Sequence, residues 1–222
     1  MTQKPPQGKR RNRWLNIVLA TVLTLLVLAL VGIYLVGRPP AFYVPAGSRD
    51  REKLLDGAIA FSKHIQEFGS DVWTERARPI EVTDDEVNGY IAAAGDPGIW
   101  NDNSVMRFAV WRKTFASDWL RNVQVQFREG RVTVAGEITW KGMDVVLSVI
   151  GHVETDDKGQ ARLRVTGIRA GSLPLPKSLF RNFLKSIDDR PVPGQISNWR
   201  LKAVEVHDGK AVLIGETVPE KK

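Results

Sequence analysis

Residues 123–167 read VQVQFREGRVTVAGEITWKGMDVVLSVIGHVETDDKGQARLRVTG, and this stretch decides the fold. Val123, Val125 and Phe127 alternate with Gln124, Gln126 and Arg128. After Glu129-Gly130 the alternation resumes through Val132, Val134, Gly136 and Ile138. After Lys141-Gly142 it continues through Met143, Val145, Leu147 and Val149, and after Asp156-Asp157-Lys158-Gly159 through Leu163, Val165 and Gly167. A period of two broken by short glycine turns predicts an antiparallel meander. Alternation of this kind predicts one buried face and one wet face. Gly136, Gly151 and Gly167 fall inside the strands, where glycine marks bulges or close backbone approach, and together they predict a strongly curved sheet.

Downstream, Leu173-Pro174-Leu175-Pro176 breaks the pattern, with Pro176 suited to the first turn of a helix. That helix carries Leu179, Phe180, Phe183, Leu184 and Ile187 on one side and Lys177, Arg181 and Lys185 on the other. Two more strands follow. Trp199, Leu201, Val204 and Val206 form the first, with a slip that predicts a bulge, and His207-Asp208-Gly209-Lys210 turns into Val212, Ile214 and Glu216.

Upstream, alternation is already present at Met106, Phe108 and Val110. Before it, Thr83-Asp84-Asp85-Glu86 is a capping box, flanked by Val82 and Val87 as a hydrophobic staple. The helix it starts runs through Tyr90, Ile91 and Ala94 to Gly95. Asp84 and Asp85 are first-turn acids of the kind the helix dipole favours. An earlier helix, with Ser48 as its cap and Gly69-Ser70 as its end, carries Leu54, Ala58, Phe61, Ile65 and Phe68 at alternating spacings of four and three. That stripe is suited to docking on the body of the protein.

Trp14 to Gly37 contains no charged residue. As an α-helix it extends roughly 36 Å, enough for a hydrocarbon core of about 30 Å. Lys4, Lys9, Arg10, Arg11 and Arg13 precede it, and charges of both signs follow Arg38. The positive-inside rule therefore predicts a signal anchor with a cytoplasmic N-terminus. The expected organisation is a basic tail at 1–13, a transmembrane helix at 14–37, a Pro-containing linker at 38–47 and an extracytoplasmic domain at 48–222. The expected fold class is α+β, a curved antiparallel sheet with a helix across its concave face.

The chain has 222 residues, a formal charge of +7 and no cysteine. Lack of cysteine excludes disulfides, thiolate metal sites and a cysteine nucleophile. Most of the positive excess lies in the N-terminal tail, so the charge does not point to nucleic acid. His64, His152 and His207 show no metal-binding spacing. No nucleophile elbow, P-loop or G-x-G-x-x-G is present, and the expectation is a protein without catalytic residues, metal or cofactor. Trp100, Trp111 and Trp119 surround Arg107, Arg112 and Lys113, a mixture suited to facing membrane head groups.

The run Leu163-Arg164-Val165-Thr166-Gly167-Ile168-Arg169-Ala170-Gly171-Ser172-Leu173-Pro174-Leu175-Pro176 resembles the YpmS-like family of uncharacterised bacterial membrane-anchored proteins. So do the helix start Thr83-Asp84-Asp85-Glu86-Val87-Asn88-Gly89-Tyr90 and the hairpin Glu129-Gly130-Arg131-Val132-Thr133-Val134-Ala135-Gly136. The likeness covers roughly residues 80–217. More remotely the order of elements is similar to the LmeA-like and tubular lipid-binding envelope proteins. The resemblance implies a cell-envelope location and an apolar ligand. Leu173, Leu175, Leu179, Phe180, Phe183 and Leu184 are the groove candidates. A lipid ligand is the first expectation, and a role as structural subunit with an envelope protein partner is the alternative.

Overall fold

A computed structural model describes residues 8–73, 78–95, 120–140, 142–156, 160–176, 178, 195–196 and 199–217. The alternating run from Ser104, the helix around Leu179–Ile187 and the tryptophans Trp100, Trp111 and Trp119 lie outside them. The fold is α+β, with an apolar N-terminal helix and antiparallel sheets. Helix α1 (Gly8–Gly37) is followed by a single 3-10 turn at Ala46–Ser48 and by α2 (Arg51–Trp73), β1 (Ile80–Thr83) and α3 (Asp84–Gly95). Strands β2 (Arg121–Arg128), β3 (Arg131–Trp140), β4 (Met143–Thr155), β5 (Ala161–Ala170) and β6 (Leu173–Pro174) form one sheet in sequential order. The second sheet is ordered β1-β9-β8-β7, from β7 (Gln195–Ile196), β8 (Trp199–His207) and β9 (Lys210–Thr217).

The meander forms because its turns supply the backbone that a tight hairpin needs. Glu129 (φ 52) and Gly130 (φ 72) both lie in the left-handed region, matching the twist of the strands they join. The slip read in β8 is a register shift between Leu201 and Ala203, and Gly151 adjoins another at Ile150. The capping box is reciprocal: Thr83 N–H donates to Glu86 Oε2 at 2.8 Å and Glu86 N–H to Thr83 Oγ1 at 3.3 Å.

Several expectations need correction. The cap of α2 is Asp50, whose Oδ1 accepts from Glu52 N at 3.0 Å, while Ser48 belongs to the preceding turn. Gly69-Ser70 does not end α2, which runs on to Trp73. Leu173-Pro174 does not leave the sheet but pairs with the end of β5. Proline is tolerated because this strand is an edge, and Leu175 N–H reaches Ile168 O at 2.9 Å. Ile80–Thr83, read only as a helix start, is also strand β1 on β9.

One face of the five-stranded sheet is the core. Val125 and Phe127 on β2 and Val132 on β3 cluster with Val82 of β1 and Ala211 of β9, while Phe61, Val87, Ile91, Val204 and Val206 pack around them. Strand β8 touches β2, β3 and β4, so it crosses the first sheet instead of running beside one strand. Helix α2 docks on α3 through the predicted stripe: Ala58 is fully buried and the Phe61 ring lies 4.8 Å from that of Tyr90. The helices approach closely because Gly57 and Gly89 stand at the crossing. A Cβ on Gly89 would meet Ala58 N at 2.6 Å.

β2 is the outer strand of its sheet, and α3 closes its open edge. Asn88 donates to Val125 O at 2.8 Å and accepts from Val125 N at 2.6 Å, replacing a strand neighbour with one carboxamide. Asp84 Oδ1 accepts from Phe127 N at 2.7 Å. Replacing Asn88 by alanine strands a donor and an acceptor, and should lower unfolding free energy by about 1–3 kcal/mol in denaturant titration. An unchanged midpoint would remove the carboxamide from the account. Burial raises the Asp84 carboxyl above its ordinary value, partly offset by the Phe127 N–H bond and reinforced by Asp85. The native state then holds that proton more tightly than the unfolded chain, so this group's contribution falls as pH rises through roughly 4 and above. Asp84→Asn keeps an acceptor without the titration. Its stability relative to the parent should therefore climb between about pH 3 and pH 6, as measured by chemical unfolding at each pH.

Candidate functional site at the helix–sheet junction

α1 contains Ile17–Gly37, 21 residues of mean hydropathy 2.7 with none of that window buried, long and apolar enough to cross a bilayer or to act as a signal sequence. A helix end leaves its last carbonyls without partners. Here the β5–β6 turn supplies them: Ser172 N–H donates to Leu35 O at 2.8 Å and Ser172 Oγ to Arg38 O at 3.0 Å. Gly171 N–H is held by Val146 O of β4 at 2.7 Å. Gly171 has φ +56, and a Cβ there would collide with the carbonyl oxygens of Leu35, Val36 and Arg38. Only glycine serves, for backbone and for space.

The linker is bound as well. Across the sheet, Gln124, Ala135, Ser148 and Arg169 are register partners and so share the face opposite the core. The alternation predicts that face to be wet. It is covered instead where Val44 meets Gln124: Val44 N–H donates to Gln124 Oε1 at 3.0 Å and Gln124 Nε2 to Val44 O at 2.7 Å. Gln124 is only 4% exposed, Ala135 and Ser148 each 1%. Tyr43, 5% exposed, donates its hydroxyl to Asn122 O at 3.1 Å and accepts from Asn122 Nδ2 at 2.7 Å. Asn122 adopts φ 53, beside the register shift between Arg121 and Gln124, and its amide also reaches Glu137 Oε1 at 3.0 Å. Asparagine tolerates this left-handed conformation better than most residues.

Arg49 completes the cluster, donating to Val44 O at 3.3 Å and to Asn122 O at 3.4 Å. Burial and the nearby Glu137 carboxylate push the Tyr43 hydroxyl far above its ordinary pKa, so it remains a neutral donor. Burial also lowers Arg49, with Tyr43 and Glu137 acting against that shift. Such an arrangement holds and orients.

The predicted groove residues divide. Leu173 pairs with Ala170, Ala170 with Leu147 and Leu147 with Gly136, so these four share the core-side face at the α1 end of the sheet. Leu173 and Leu175 are half-buried. Leu179, Phe180, Phe183 and Leu184 lie outside the described residues, as do the membrane-facing candidates Trp100, Trp111 and Trp119. The histidines stand on three elements: His64 Nδ1 approaches Glu86 Oε1 at 3.4 Å, His152 Nδ1 lies 3.0 Å from Gly130 O, and His207 Nε2 is 3.7 Å from Glu205. Tyr43, Asn122 and Gln124 were not singled out from the sequence. The signal available there was faint: a Tyr-Val pair in the linker and amide side chains at Asn122 and Gln124.

The fold and junction thus define a chain in which the one membrane-length helix among the described residues is joined through its C-terminal end to an α+β body. No protein-family model and no curated protein matches it. Gly171→Ala should pry α1 from the turn, costing about 1–3 kcal/mol by overpacking and backbone strain. Faster tryptic cleavage after Arg49 in the full chain is the expected readout. Cleavage at the parental rate would mean that the turn does not hold the helix.

Proposed function

We propose that this chain is a single-pass protein of the cytoplasmic membrane, with residues 1–13 in the cytosol and the body outside, and that the body binds a lipid or another apolar molecule without catalysing a reaction. The orientation rests on the cationic tail before α1. The fold completing this reading is a curved sheet with a 179–187 helix across its concave side, as the strand glycines and the apolar spacing of that segment lead us to expect. The observation that carries the ligand reading is the apolar row Gly136, Leu147, Ala170 and Leu173 on the sheet end next to α1. Leu120 lies over Gly136 and Ala170 is buried, so Leu147 and Leu173, both half-buried, are the members a guest leaving the bilayer beside α1 would meet, and burial of its hydrocarbon is worth about 25 cal/mol per Å². Trp100, Trp111 and Trp119 belong to the segment joining α3 to β2. Asn88 and Asp84 bond β2 at Val125 and Phe127, so α3 runs antiparallel to β2 and ends toward its start, at the α1 end. Both described ends of that segment lie toward α1, which supports the proposal that these tryptophans face the membrane.

The alternative, a structural subunit of an envelope assembly with a protein partner, needs a free surface. Of the stripe expected to contact such a partner, Leu54, Phe61, Ile65 and Phe68, Phe61 is packed on Tyr90 of α3. Leu55 and Ile59, 36% and 53% exposed on α2, are better suited. A photoactivatable phospholipid added to the full chain in native-like membranes separates the readings. Adducts should map to peptides containing Leu147 and Leu173, and Leu173→Glu should deplete them. Labelling confined to α1 would overturn the ligand reading and leave the anchor intact.

A further inference from the structure

The strands of the first sheet do not end together at the α1 side. Pairing of β2 with β3 begins at Arg121↔Glu137, and pairing of β4 with β5 stops at Leu147↔Ala170. The β3–β4 pair alone continues, through Ile138↔Val145 and Thr139↔Asp144 to Trp140↔Met143. Val146, next to Leu147, is the residue whose carbonyl holds Gly171 against the end of α1. Met143 therefore projects about 10 Å further along β4, at roughly 3.3 Å per residue.

Beside the turn, Met143 is exposed and its neighbour Asp144 is paired. Met143 is 51% exposed, the largest exposure of any large apolar side chain among the described residues beyond α1 apart from Ile59. Its acidic neighbour Asp144 is paired with Arg121 Nη2 at 2.7 Å, and Thr139 Oγ1 donates to the same carboxylate oxygen at 2.7 Å. A paired carboxylate is cheaper to bring to a low-dielectric surface than a free one. The chain is also bound to the body on both sides of Pro39–Phe42: Ser172 bonds Leu35 and Arg38, while Asn122 and Gln124 bond Tyr43 and Val44.

From this geometry we infer that the β3–β4 hairpin is a second membrane contact, with the Met143 side chain entering the lipid surface beside α1. The inference rests on the reading of α1 as a membrane anchor, and its partner is the bilayer itself. A flexible thioether adapts to the irregular acyl boundary.

The chain has no cysteine, so Met143→Cys carries a single environment-sensitive fluorophore. Arg131→Cys, at the opposite end of β3, is the control. Full chains are reconstituted into phosphatidylcholine–phosphatidylglycerol vesicles. The label at 143 should emit to the blue of that at 131, lose most of its intensity to nitroxide-bearing lipid and resist aqueous iodide. Iodide quenching at 143 equal to that at 131, without quenching by nitroxide lipid, would overturn the proposal. Flotation with the vesicles reports α1 separately. A chain that floats but shows iodide-quenched position 143 sinks only the hairpin contact, whereas a chain that fails to float sinks the anchor reading and the proposal with it. Matching thermal unfolding of labelled and parental chains excludes misfolding as the cause.

Discussion

A sheet's outer strand presents a row of N–H and C=O groups that must find partners or stay in water. In this protein the row belongs to β2, and the way it is closed governs the arrangement of everything else. Asn88 and Asp84 serve Val125 and Phe127 from α3, Gly209 N–H donates to Phe127 O at 2.9 Å, and Asp208 accepts from Glu129 N at 2.8 Å. At the other end Tyr43 and Arg49 bond Asn122 O. Three segments far apart in sequence are thereby fixed to one strand. None of them could be displaced without stranding polar groups at a cost comparable to a lost hydrogen bond each.

This explains which parts of the fold were legible. Glu129-Gly130 and Asp208-Gly209 were readable because a tight hairpin needs left-handed backbone, and few residues supply it. Thr83 and Glu86 were readable because a capping box is closed within four residues. Val125, Phe127 and Val132 announced their face by alternation. By contrast Gln124 read as solvent-facing, and within its own strand it is. What buries it is Val44, which arrives from 80 positions earlier. Asn88 likewise reads as an ordinary helix residue until β2 is placed beside it. The short strands β1 and β6 were missed for a related reason. Four residues, or a proline-bearing pair, do not establish a period, and their partners β9 and β5 decide their conformation.

The junction was the least legible part and the most consequential. Arg38-Pro39-Pro40 reads as the start of a short linker between the helix and the body. The structure instead caps the end of that helix with the β5–β6 turn and latches the chain again six residues on. Neither attachment alone would fix the body, since a single point of contact leaves rotation free. Two attachments on different strands, β4–β5 through Gly171 and Ser172 and β2 through Tyr43 and Val44, resist rotation about either one. For a chain anchored through α1, the position of every surface loop relative to the bilayer becomes a property of the fold instead of an average over tether conformations.

The same constraint divides the core-side face of the large sheet along its length. Toward the β2–β3 turn that face is filled: Phe127 and Val132 pack with Val82, Ala211 and Val206, all supplied by the second sheet. Toward α1 the row remains apolar through Gly136, Leu147, Ala170 and Leu173, although the edge-closing residues of α3 and the β8–β9 turn lie at the far end. The stabilising core and the apolar surface nearest the helix are therefore different parts of one sheet. Leu173 lies apart from the Phe127 cluster, so a change there leaves that cluster intact, whereas a change at Asn88 breaks the bonds that close the edge of β2.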